Sequence, residues 1–401
     1  MKIICATNMP FAEEAFSTLG ETRVLEGRSI GPDDVRDTGL LALRSTTKVD
    51  RRLLAGSQVR FVGTATIGTD HLDIPYLEEH GIHWCSAAGC NANSVGEYVV
   101  AALLTIGQRY GWHLAGRTLG VIGVGNVGRR VAAKAAALGL RVLLNDPPRA
   151  RAEAGQSAAP DFVPLARLLA ESDIVTLHVP LTRDGLDATW HLADGRFFAS
   201  LKPGALLLNA ARGPCIDSDA LLRALDLGTL AHAALDTWEG EPAYRPDVMA
   251  RMELATPHIA GHSFEGKAMG TVMVYQQACR FLGVPERWQI AGCWPTPAVP
   301  EVAIDAAGRD DEAVLHDVVR RVYAIEDDDR RFRATASGSP DERRKDFDRL
   351  RRDYPDRREF RFTKVRVANG STALLAKLRE LEFSVAAAKQ DGKCPNSSVH
   401  M

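Results

Sequence analysis

Short apolar runs alternate with polar, helical or turn-rich segments over the first 260 residues of the chain. In the first 92 residues, four runs end in polar or glycine-rich loops: KIICATN (2–8), LLALRS (40–45), VRFVGTATIGTD (59–70) and IHWCSAAG (82–89). Four more follow: DIVTLHVPLT (173–182), GALLLNAARG (204–213), LAHAALDTW (230–238) and LATPHIAGH (254–262). Buried strands separated by helices are typical of parallel sheets, so the pattern predicts two doubly wound α/β units.

The segment between them has the most specific pattern. Residues 118–148 read TLGVIGVGNVGRRVAAKAAALGLRVLLNDPP: an apolar run, a loop with Gly123, Gly125 and Gly128, an alanine-rich amphipathic stretch and a second apolar run. In such a loop the first glycine permits a tight turn, the second lets a diphosphate approach the backbone, and the third lets the helix pack on the sheet. Amide groups at the start of that helix face an anion. We therefore predict a dinucleotide-binding fold.

The second apolar run ends at Asp146, which lies 18 residues after Gly128. A carboxylate at this place suits the two hydroxyls of an adenine ribose and repels a 2′-phosphate. The sequence therefore predicts NAD rather than NADP as cofactor, although Arg149 lies close enough in sequence to soften the preference.

The flanking segments predict further helices and one strand. NANSVGEYVVAALLTIGQRYG (91–111) predicts a long helix, with Asn93 or Ser94 as its N-cap and Glu97 at the capping-box position. The composition changes after about residue 285, where a proline-rich linker begins. The dense Asp and Arg residues over 310–360 predict solvated helical faces, and EFRFTKVRV (359–367) predicts a half-exposed strand. We expect the tail, 381–401, to be disordered.

The composition narrows the possible partners and compartment. The chain has 401 residues and a net charge of −2, so no global positive field favours nucleic acid or lipid. No apolar stretch approaches the roughly 20 residues that span a bilayer, and the start does not resemble a signal peptide. The seven cysteines form no C-x-x-C pair and no metal-finger spacing. We expect a cytoplasmic protein with free thiols, no metal site, and no nucleic-acid or membrane partner.

Three stretches near predicted strand ends carry candidate chemistry. NAARGPCID carries Arg212, LDTWEGEP carries Asp236, Glu239 and Glu241, and TPHIAGH carries His258 and His262. Ligands bind at the carboxyl ends of strands in doubly wound sheets. Hydride transfer to a nicotinamide cofactor also needs a base that removes the hydroxyl proton of the substrate, and these three stretches supply the candidates.

These motifs resemble those of the D-isomer-specific 2-hydroxyacid dehydrogenases. Arg212, Glu241 and His258 stand in the family's order, separated by 29 and 17 residues, and RSTTKVD (44–50), IGTDHLD (67–73) and NANSVGEY (91–98) match as well. The resemblance covers roughly residues 40–285. It implies a flavodoxin-like substrate-binding domain (1–92 and 260–285) and a Rossmann NAD-binding domain (93–259). A C-terminal α+β dimerisation domain (286–380) is expected to follow and to form a homodimer.

The resemblance also implies roles for single residues. Arg212 holds the substrate carboxylate and polarises the C2 oxygen, His258 exchanges the hydroxyl proton, and Glu241 orients the imidazole and stabilises its charged form. Glu239 is the alternative to Glu241. The expected cofactor-binding residues are Gly123, Gly125, Asn126, Val127, Gly128, Asp146, Thr176, Ala210, Ala211, Asp236 and Gly261. The expected substrate-binding residues are Thr66, Ile67 and Gly68 for the carboxylate, Arg44, Ser45 and Lys48 for a phosphate, and His262.

Within the family, the glycine loop, NDPPR, HIAGHSFEGKAMGT and the extra C-terminal segment are similar to one branch. That branch implies NAD-dependent oxidation of 4-phospho-D-erythronate to (R)-3-hydroxy-2-oxo-4-phosphooxybutanoate, in pyridoxal 5′-phosphate (vitamin B6) biosynthesis. The branch pattern has tyrosine where this chain has His262. The alternatives are 3-phosphoglycerate dehydrogenase, a glyoxylate or hydroxypyruvate reductase, and an NAD-sensing corepressor. Whether NAD stays bound and is re-oxidised in place by a second 2-oxo acid is open.

Overall fold

The chain folds into three parallel β-sheets with helices packed against them, as seen in a computed structural model. The structure describes residues 1–156, 160–290 and 294–387. Most of the predicted tail, from residue 388 onward, lies outside the described residues. No helix among the described residues combines the length and apolarity that a bilayer crossing requires.

The first sheet has five strands in the order β2-β1-β3-β4-β5. Its strands are β1 (Lys2–Ala6), β2 (Glu21–Leu25), β3 (Leu40–Leu43), β4 (Phe61–Thr64) and β5 (His83–Ser86), and its helices are α1 (Ala12–Phe16), α2 (Pro32–Val35), α3 (Arg51–Leu54) and α4 (Ile74–Glu79). Four of these strands match the predicted runs. The apolar runs did not indicate β2, because it is a partly exposed edge strand with the mixed sequence ETRVL.

The second sheet has six strands in the order β11-β10-β9-β8-β6-β7. Its strands are β6 (Thr118–Ile122), β7 (Arg141–Asn145), β8 (Ile174–Leu177), β9 (Ala205–Asn209), β10 (Leu230–Leu235) and β11 (Leu254–Ala255). Its helices are α5 (Ala92–Tyr110), α6 (Asn126–Ala137), α7 (Pro147–Ala152), α8 (Leu165–Glu171), α9 (Gly195–Ala199), α10 (Ser218–Leu227) and α11 (Pro246–Ala250), with a 3₁₀ turn at Gly213–Cys215. The strand order reverses beside β6, which creates a crevice at the end of the glycine-loop strand.

Helix α12 (Phe264–Leu282) follows the second sheet in sequence but packs on the first. Its Val274 and Tyr275 are buried in one apolar cluster with Phe61 of β4 and Ile3 of β1. This packing supports the proposed discontinuous substrate-binding domain, in which residues 260–285 return to residues 1–92. The boundaries themselves stay a proposal.

The third sheet is formed by the C-terminal segment, and its three strands are also parallel. It contains β12 (Glu301–Asp305), β13 (Lys364–Ala368) and β14 (Ser384–Ala387), with helices α13 (Asp311–Val322), α14 (Ile325–Arg333), α15 (Pro340–Arg352) and α16 (Thr372–Glu380) and a 3₁₀ turn at Phe360–Phe362. Two expectations change. The predicted strand 359–367 is shorter, because its first part forms the 3₁₀ turn. The expected disorder from residue 381 is also corrected, since Ser384–Ala387 pairs with β13.

The composition of residues 310–360 predicts solvated charges, but some of these charged side chains are buried. Arg357, Arg358 and Glu359 are buried between the starts of α5 and α12. Arg358 pairs with the buried Glu265, and the Arg357 Nη2 donates to the Ala260 carbonyl over 2.6 Å. The backbone and side chains of this segment thus satisfy polar groups of the two helices that connect the first and second sheets.

This arrangement also changes the predicted start of α5. The N-cap residue is Asn91, without a side-chain cap, rather than Asn93 or Ser94. Ser94 instead donates to a Glu359 carboxylate oxygen over 3.1 Å, and the Glu97 Oε1 accepts from the Phe360 amide over 2.9 Å. The two side chains expected to form a capping box are therefore used by the C-terminal segment.

Candidate active site

The glycine loop has the geometry that its sequence predicts. Gly123 has φ of 84°, and a Cβ there would lie 2.6 Å from the carbonyl oxygen of His178. A Cβ on Gly128 would lie 1.9 Å from the Gly123 carbonyl oxygen, so this position must be glycine for the helix to approach the turn. Gly125 is the N-cap of α6, and a Cβ there would meet nothing within 4 Å. That open backbone fits the close approach of a dinucleotide diphosphate.

Asp146 connects the end of β7 to the glycine loop. Its Oδ2 accepts from the Val124 amide over 2.8 Å, and its Oδ1 caps α7 by accepting from the Arg149 amide. The Arg149 side chain forms an ion pair with Glu153 and donates to the Val124 carbonyl. Because the guanidinium is engaged in this way, it is poorly available for a 2′-phosphate, which supports the predicted preference for NAD.

Other expected cofactor residues lie along the same crevice. Thr176 is buried in β8, and its Oγ1 is 2.9 Å from the His178 Nε2. Ala210 and Ala211 follow β9, where the Asn209 Oδ1 accepts from the Ala211 amide over 3.0 Å. Asn126 and Val127 begin α6.

Arg212 is held at the end of β9 by contacts that fix its backbone and its side chain. The Asn209 Nδ2 donates to the Arg212 carbonyl over 3.0 Å, and the Arg212 Nε donates to Asp70 over 3.1 Å. A Cβ on Gly68 would lie 1.8 Å from the Arg212 Nη2. The guanidinium, from the second sheet, therefore lies directly against the loop expected to bind the substrate carboxylate, which follows β4 of the first sheet.

That loop has a continuous hydrogen-bond network. The Thr66 hydroxyl donates to the Gly68 carbonyl over 2.9 Å and is 2.8 Å from the Thr64 hydroxyl, which in turn is 2.9 Å from the His71 Nε2. Burial lowers the pKa of His71 to about 4, so this imidazole is neutral at physiological pH. The network fixes the backbone of Thr66, Ile67 and Gly68 next to Arg212.

His258 and Glu241 form a close pair. The His258 Nδ1 is 2.5 Å from the Glu241 Oε1, and the other carboxylate oxygen accepts from the Trp238 amide over 3.0 Å. Burial acts to raise the pKa of Glu241, but the charge and hydrogen bond of His258 and the charge of Arg351 outweigh it, so the pKa lies below its ordinary value. The carboxylate is therefore ionised and leaves the Nε2 of His258 as the proton acceptor.

The alternative carboxylate, Glu239, points elsewhere. Its Oε1 is 2.6 Å from the His191 Nε2, and its Oε2 accepts from the Ser218 amide. The geometry therefore favours Glu241 as the partner of His258.

Asp236 organises the loop that carries His258. Its carboxylate accepts from the Thr256 hydroxyl and the Ile259 amide, both over 2.7 Å, and from the Ala260 amide over 2.9 Å. Its backbone carbonyl accepts from the His258 amide, and His258 has φ of 57°. Burial raises the pKa of Asp236, although His258, Thr256 and the two amides oppose the rise. These contacts hold an unfavourable backbone conformation in place.

The residues expected at the phosphate end differ in their exposure to solvent. The Arg44 guanidinium is partly buried and donates to the Ala65 carbonyl over 3.1 Å. Ser45 is exposed. The Lys48 side chain is 80% exposed and pairs with Asp50 over 3.2 Å. Of these three residues, only Arg44 is partly buried, which favours it as a binding residue.

His262 lies in a cationic environment that sequence analysis did not indicate. Burial and then the charges of Arg351, Lys267 and Arg44 lower its pKa well below the ordinary value, so the ring is neutral. Its Nδ1 is buried with no hydrogen-bond partner among the described residues. Nearby, a Cβ on Gly261 would lie 2.1 Å from the Asn91 Nδ2, so a larger residue there would displace the Asn91 side chain.

The sequence and structure comparisons identify the family. A model of the NAD binding domain of D-isomer specific 2-hydroxyacid dehydrogenases matches residues 100–260, and a model of a domain of unknown function matches residues 294–381. Relatives named erythronate-4-phosphate dehydrogenase, from Marinobacter nauticus and Cronobacter sakazakii, are 45% identical over 96% of this chain and cover 100% and 98% of their own lengths. This chain belongs to the erythronate-4-phosphate dehydrogenase family of D-isomer specific 2-hydroxyacid dehydrogenases. Residues 100–260, which include the glycine loop, thus form its NAD-binding domain.

Solved structures agree with the fold of this family. A 3-phosphoglycerate dehydrogenase from Entamoeba histolytica with bound NAD⁺ has a TM-score of 0.61 at 24% identity, over 72% of this chain and 98% of its own. An NAD-dependent formate dehydrogenase from Staphylococcus aureus in complex with NAD has a TM-score of 0.59 at 24% identity, over 72% and 97%. These likenesses confirm the predicted α/β fold with two parallel sheets.

Proposed function

We propose that this protein oxidises 4-phospho-D-erythronate to (R)-3-hydroxy-2-oxo-4-phosphooxybutanoate with NAD, in pyridoxal 5′-phosphate biosynthesis. The observation that carries the proposal is the 2.5 Å contact between His258 and Glu241. Glu241 follows β10 and His258 follows β11, and β10 lies between β11 and β9, the strand that presents Arg212. The 45% sequence identity to an erythronate-4-phosphate dehydrogenase, over 96% of this chain, supports the proposed substrate.

In this proposal the substrate carboxylate binds the Arg212 guanidinium and the backbone of Thr66, Ile67 and Gly68. Arg212 also polarises the C2 oxygen, since guanidinium forms two parallel charge-assisted hydrogen bonds. The His258 Nε2 accepts the proton of the C2 hydroxyl during oxidation, and Glu241 stabilises the imidazolium that forms. Such a positioned base contributes about 100-fold or more to the rate.

The glycine loop, Asp146 and the Thr176 region would hold NAD in the crevice at the carboxyl ends of the strands. When bound, NAD supplies the acceptor for the hydride that leaves C2. Asp236 keeps the His258 loop in place, and its position directly after β10 fits its expected role as a cofactor-binding residue.

The assay that tests this function compares substrates on the purified protein. NAD reduction is measured with 4-phospho-D-erythronate and with 3-phospho-D-glycerate, each with and without a 2-oxo acid acceptor. The reverse reaction, NADH oxidation, is measured with hydroxypyruvate. The product is detected directly in each assay. A strong preference for the four-carbon phosphate is expected. Preference for another acid would keep the mechanism and change the substrate. Activity on none of them, despite bound NAD, would favour the corepressor alternative.

We also propose a cytoplasmic location and a homodimer formed through residues 286–380. The apolar core of this segment is continuous with that of the NAD-binding unit, because Val314 and Leu315 of α13 share a cluster with Leu104 of α5. The segment is therefore packed firmly against its own subunit and can present a rigid surface to a second copy of the chain. Light scattering of the full chain is expected to give twice the mass of one chain, and a monomeric mass would contradict the dimer.

A further inference from the structure

We propose that Arg351, from helix α15 of the C-terminal segment, forms with Arg44 and Lys267 a three-cation site for the phosphate of the substrate. The identity of the ligand rests on the proposed function. The inference adds to that function the residues that select a phosphorylated acid. Two of the three, Lys267 and Arg351, lie outside the phosphate residues expected from sequence.

Helix α15 crosses from the NAD-binding unit to the substrate-binding unit. Phe347 is buried in an aromatic cluster, with its ring centroid 6.2 Å from that of Tyr244 and 5.7 Å from that of Phe332. The next residue, Asp348, pairs with Arg28 of the first unit over 2.6 Å. The helix is therefore anchored on both sides of the space between the two units.

Arg351 lies one helical turn beyond these anchors, on the same side of the helix. Its guanidinium carbon is 5.7 Å from the centre of the Phe347 ring, and its Nε is buried without a hydrogen-bond partner in the described part of the chain. Buried guanidinium donors are normally paired, so the unpaired Nε of Arg351 fits an acceptor supplied by a ligand.

Helix α12 brings Lys267 to the same place. A Cβ on Gly270 would lie 2.7 Å from the Ala65 carbonyl oxygen, which is the atom that accepts from the Arg44 guanidinium. Lys267 lies one turn before Gly270, on the same face of α12. Burial, and then the charge of Arg44, lowers the pKa of Lys267 to about 8, as expected for two cations in proximity.

Burial, and then the charges of Arg351, Lys267 and Arg44, lower the pKa of His262, which lies four residues after the base His258. The His262 ring contacts Tyr354 with centroids 5.7 Å apart, and Tyr354 lies one turn after Arg351 in sequence. Among the described residues, none of the three cations has a carboxylate oxygen within 4.0 Å. A phosphomonoester carries a charge of about −1.5 to −2 at pH 7 and three acceptor oxygens. Its oxygens would supply the negative charge and the hydrogen-bond acceptors that the three cations lack.

The test compares each variant on a substrate with and without its phosphate. For Arg351→Gln we expect kcat/KM on 4-phospho-D-erythronate to fall about 10- to 100-fold, the usual effect of losing a charge-assisted hydrogen bond. Activity on D-erythronate at high concentration should fall much less than activity on the phosphorylated acid, and the Kd for NAD and the melting temperature should stay unchanged. Inorganic phosphate should inhibit the wild type competitively and the variant much more weakly. Arg349→Gln, an exposed residue of the same helix that pairs with Asp346, is the matched control.

An equal loss on both substrates, or no loss on either, would overturn the site. Failure of the proposed function gives a different result, because it appears in the wild type. If the wild type prefers another phosphorylated acid, the comparison is repeated with that acid and its dephosphorylated form. If it oxidises no phosphorylated acid, binding of inorganic phosphate by calorimetry decides: loss of binding in Arg351→Gln supports the site, and unchanged binding overturns it.

Discussion

Gly68 and Arg212 lie so close together that a Cβ on the glycine would be 1.8 Å from the guanidinium Nη2. Gly68 belongs to the loop after β4 in the first sheet, and Arg212 follows β9 in the second. The contact therefore joins the two units at the point where the substrate carboxylate is proposed to bind. It also explains why a residue without a side chain is needed at position 68.

Gly68→Ala should displace the Arg212 guanidinium and lower activity with little loss of stability. The new methyl group would meet the flexible end of the arginine, so the side chain moves rather than the backbone. A misplacement of about 1 Å in a catalytic group costs roughly 100-fold in rate. Steady-state kinetics should show this loss in kcat/KM at an unchanged melting temperature. Gly195→Ala is the control, because a Cβ there meets nothing within 4 Å; full activity in Gly68→Ala would contradict the proposed role.

Glu241→Gln should lower the rate of the oxidative reaction. The Glu241 carboxylate, 2.5 Å from the His258 Nδ1, stabilises the positive charge that the ring acquires when it takes the hydroxyl proton. Glutamine can keep a hydrogen bond to the ring but supplies no negative charge. The measurement is kcat/KM, and His258→Ala, expected to lose about 100-fold or more, serves as the reference. An unchanged kcat/KM in Glu241→Gln would exclude this role.

Asp146→Ala should weaken NAD binding more than NADP binding. The carboxylate is positioned by the Val124 amide, and Arg149 is held by Glu153, so the wild-type site offers acceptors and little free positive charge to the ribose. Isothermal titration with both cofactors measures the ratio of the two dissociation constants. Equal weakening of both would show that Asp146 does not contact the ribose.

The sequence predicted best what depends on local chemistry. Gly123 and Gly128 have the turn and the close packing that the G-x-G-x-x-G spacing implies, because those demands arise within a dozen residues. Glu241 and Glu239 could be ranked only by family spacing. Their different partners, His258 and His191, depend on how distant loops meet.

The sequence did not reveal the role of the C-terminal charges. Arg357 and Glu359 lie in a stretch whose composition is typical of solvated helices, yet both are buried against helices more than 90 residues away in the chain. Likewise, Lys48 lies beside Arg44 in sequence but is exposed, whereas Lys267 and Arg351 approach Arg44 only through tertiary packing. The spacing of charged residues along the sequence does not distinguish an arginine on the surface from an arginine that contacts residues of another unit.

The KM for 4-phospho-D-erythronate should rise as the pH increases through about 8. Burial and Arg44 lower the pKa of Lys267 to about 8, with Arg357 acting in the same direction and Asp356 opposing it. The ammonium is present below that pH and is lost above it, so the proposed phosphate site loses one of its charges. Lys267→Arg should remove the rise, because guanidinium stays charged. Profiles of KM for substrate and for NAD between pH 6.5 and about 9.5 test this; a parallel rise in both would contradict it.

Glu97→Gln should stabilise the protein at high pH and have less effect at low pH. Burial, and then the charge of Glu359, raises the pKa of Glu97 well above its ordinary value of 4.5. The folded state therefore keeps a proton that the unfolded state releases, and its stability falls as pH rises above 4.5, by up to about 1.4 kcal/mol per pH unit. Glutamine removes this dependence and keeps the oxygen that accepts from Asn93 and Phe360. Melting temperatures at pH near 5 and near 8 measure the difference; a gap that does not change with pH would mean that Glu97 is ionised in the folded protein.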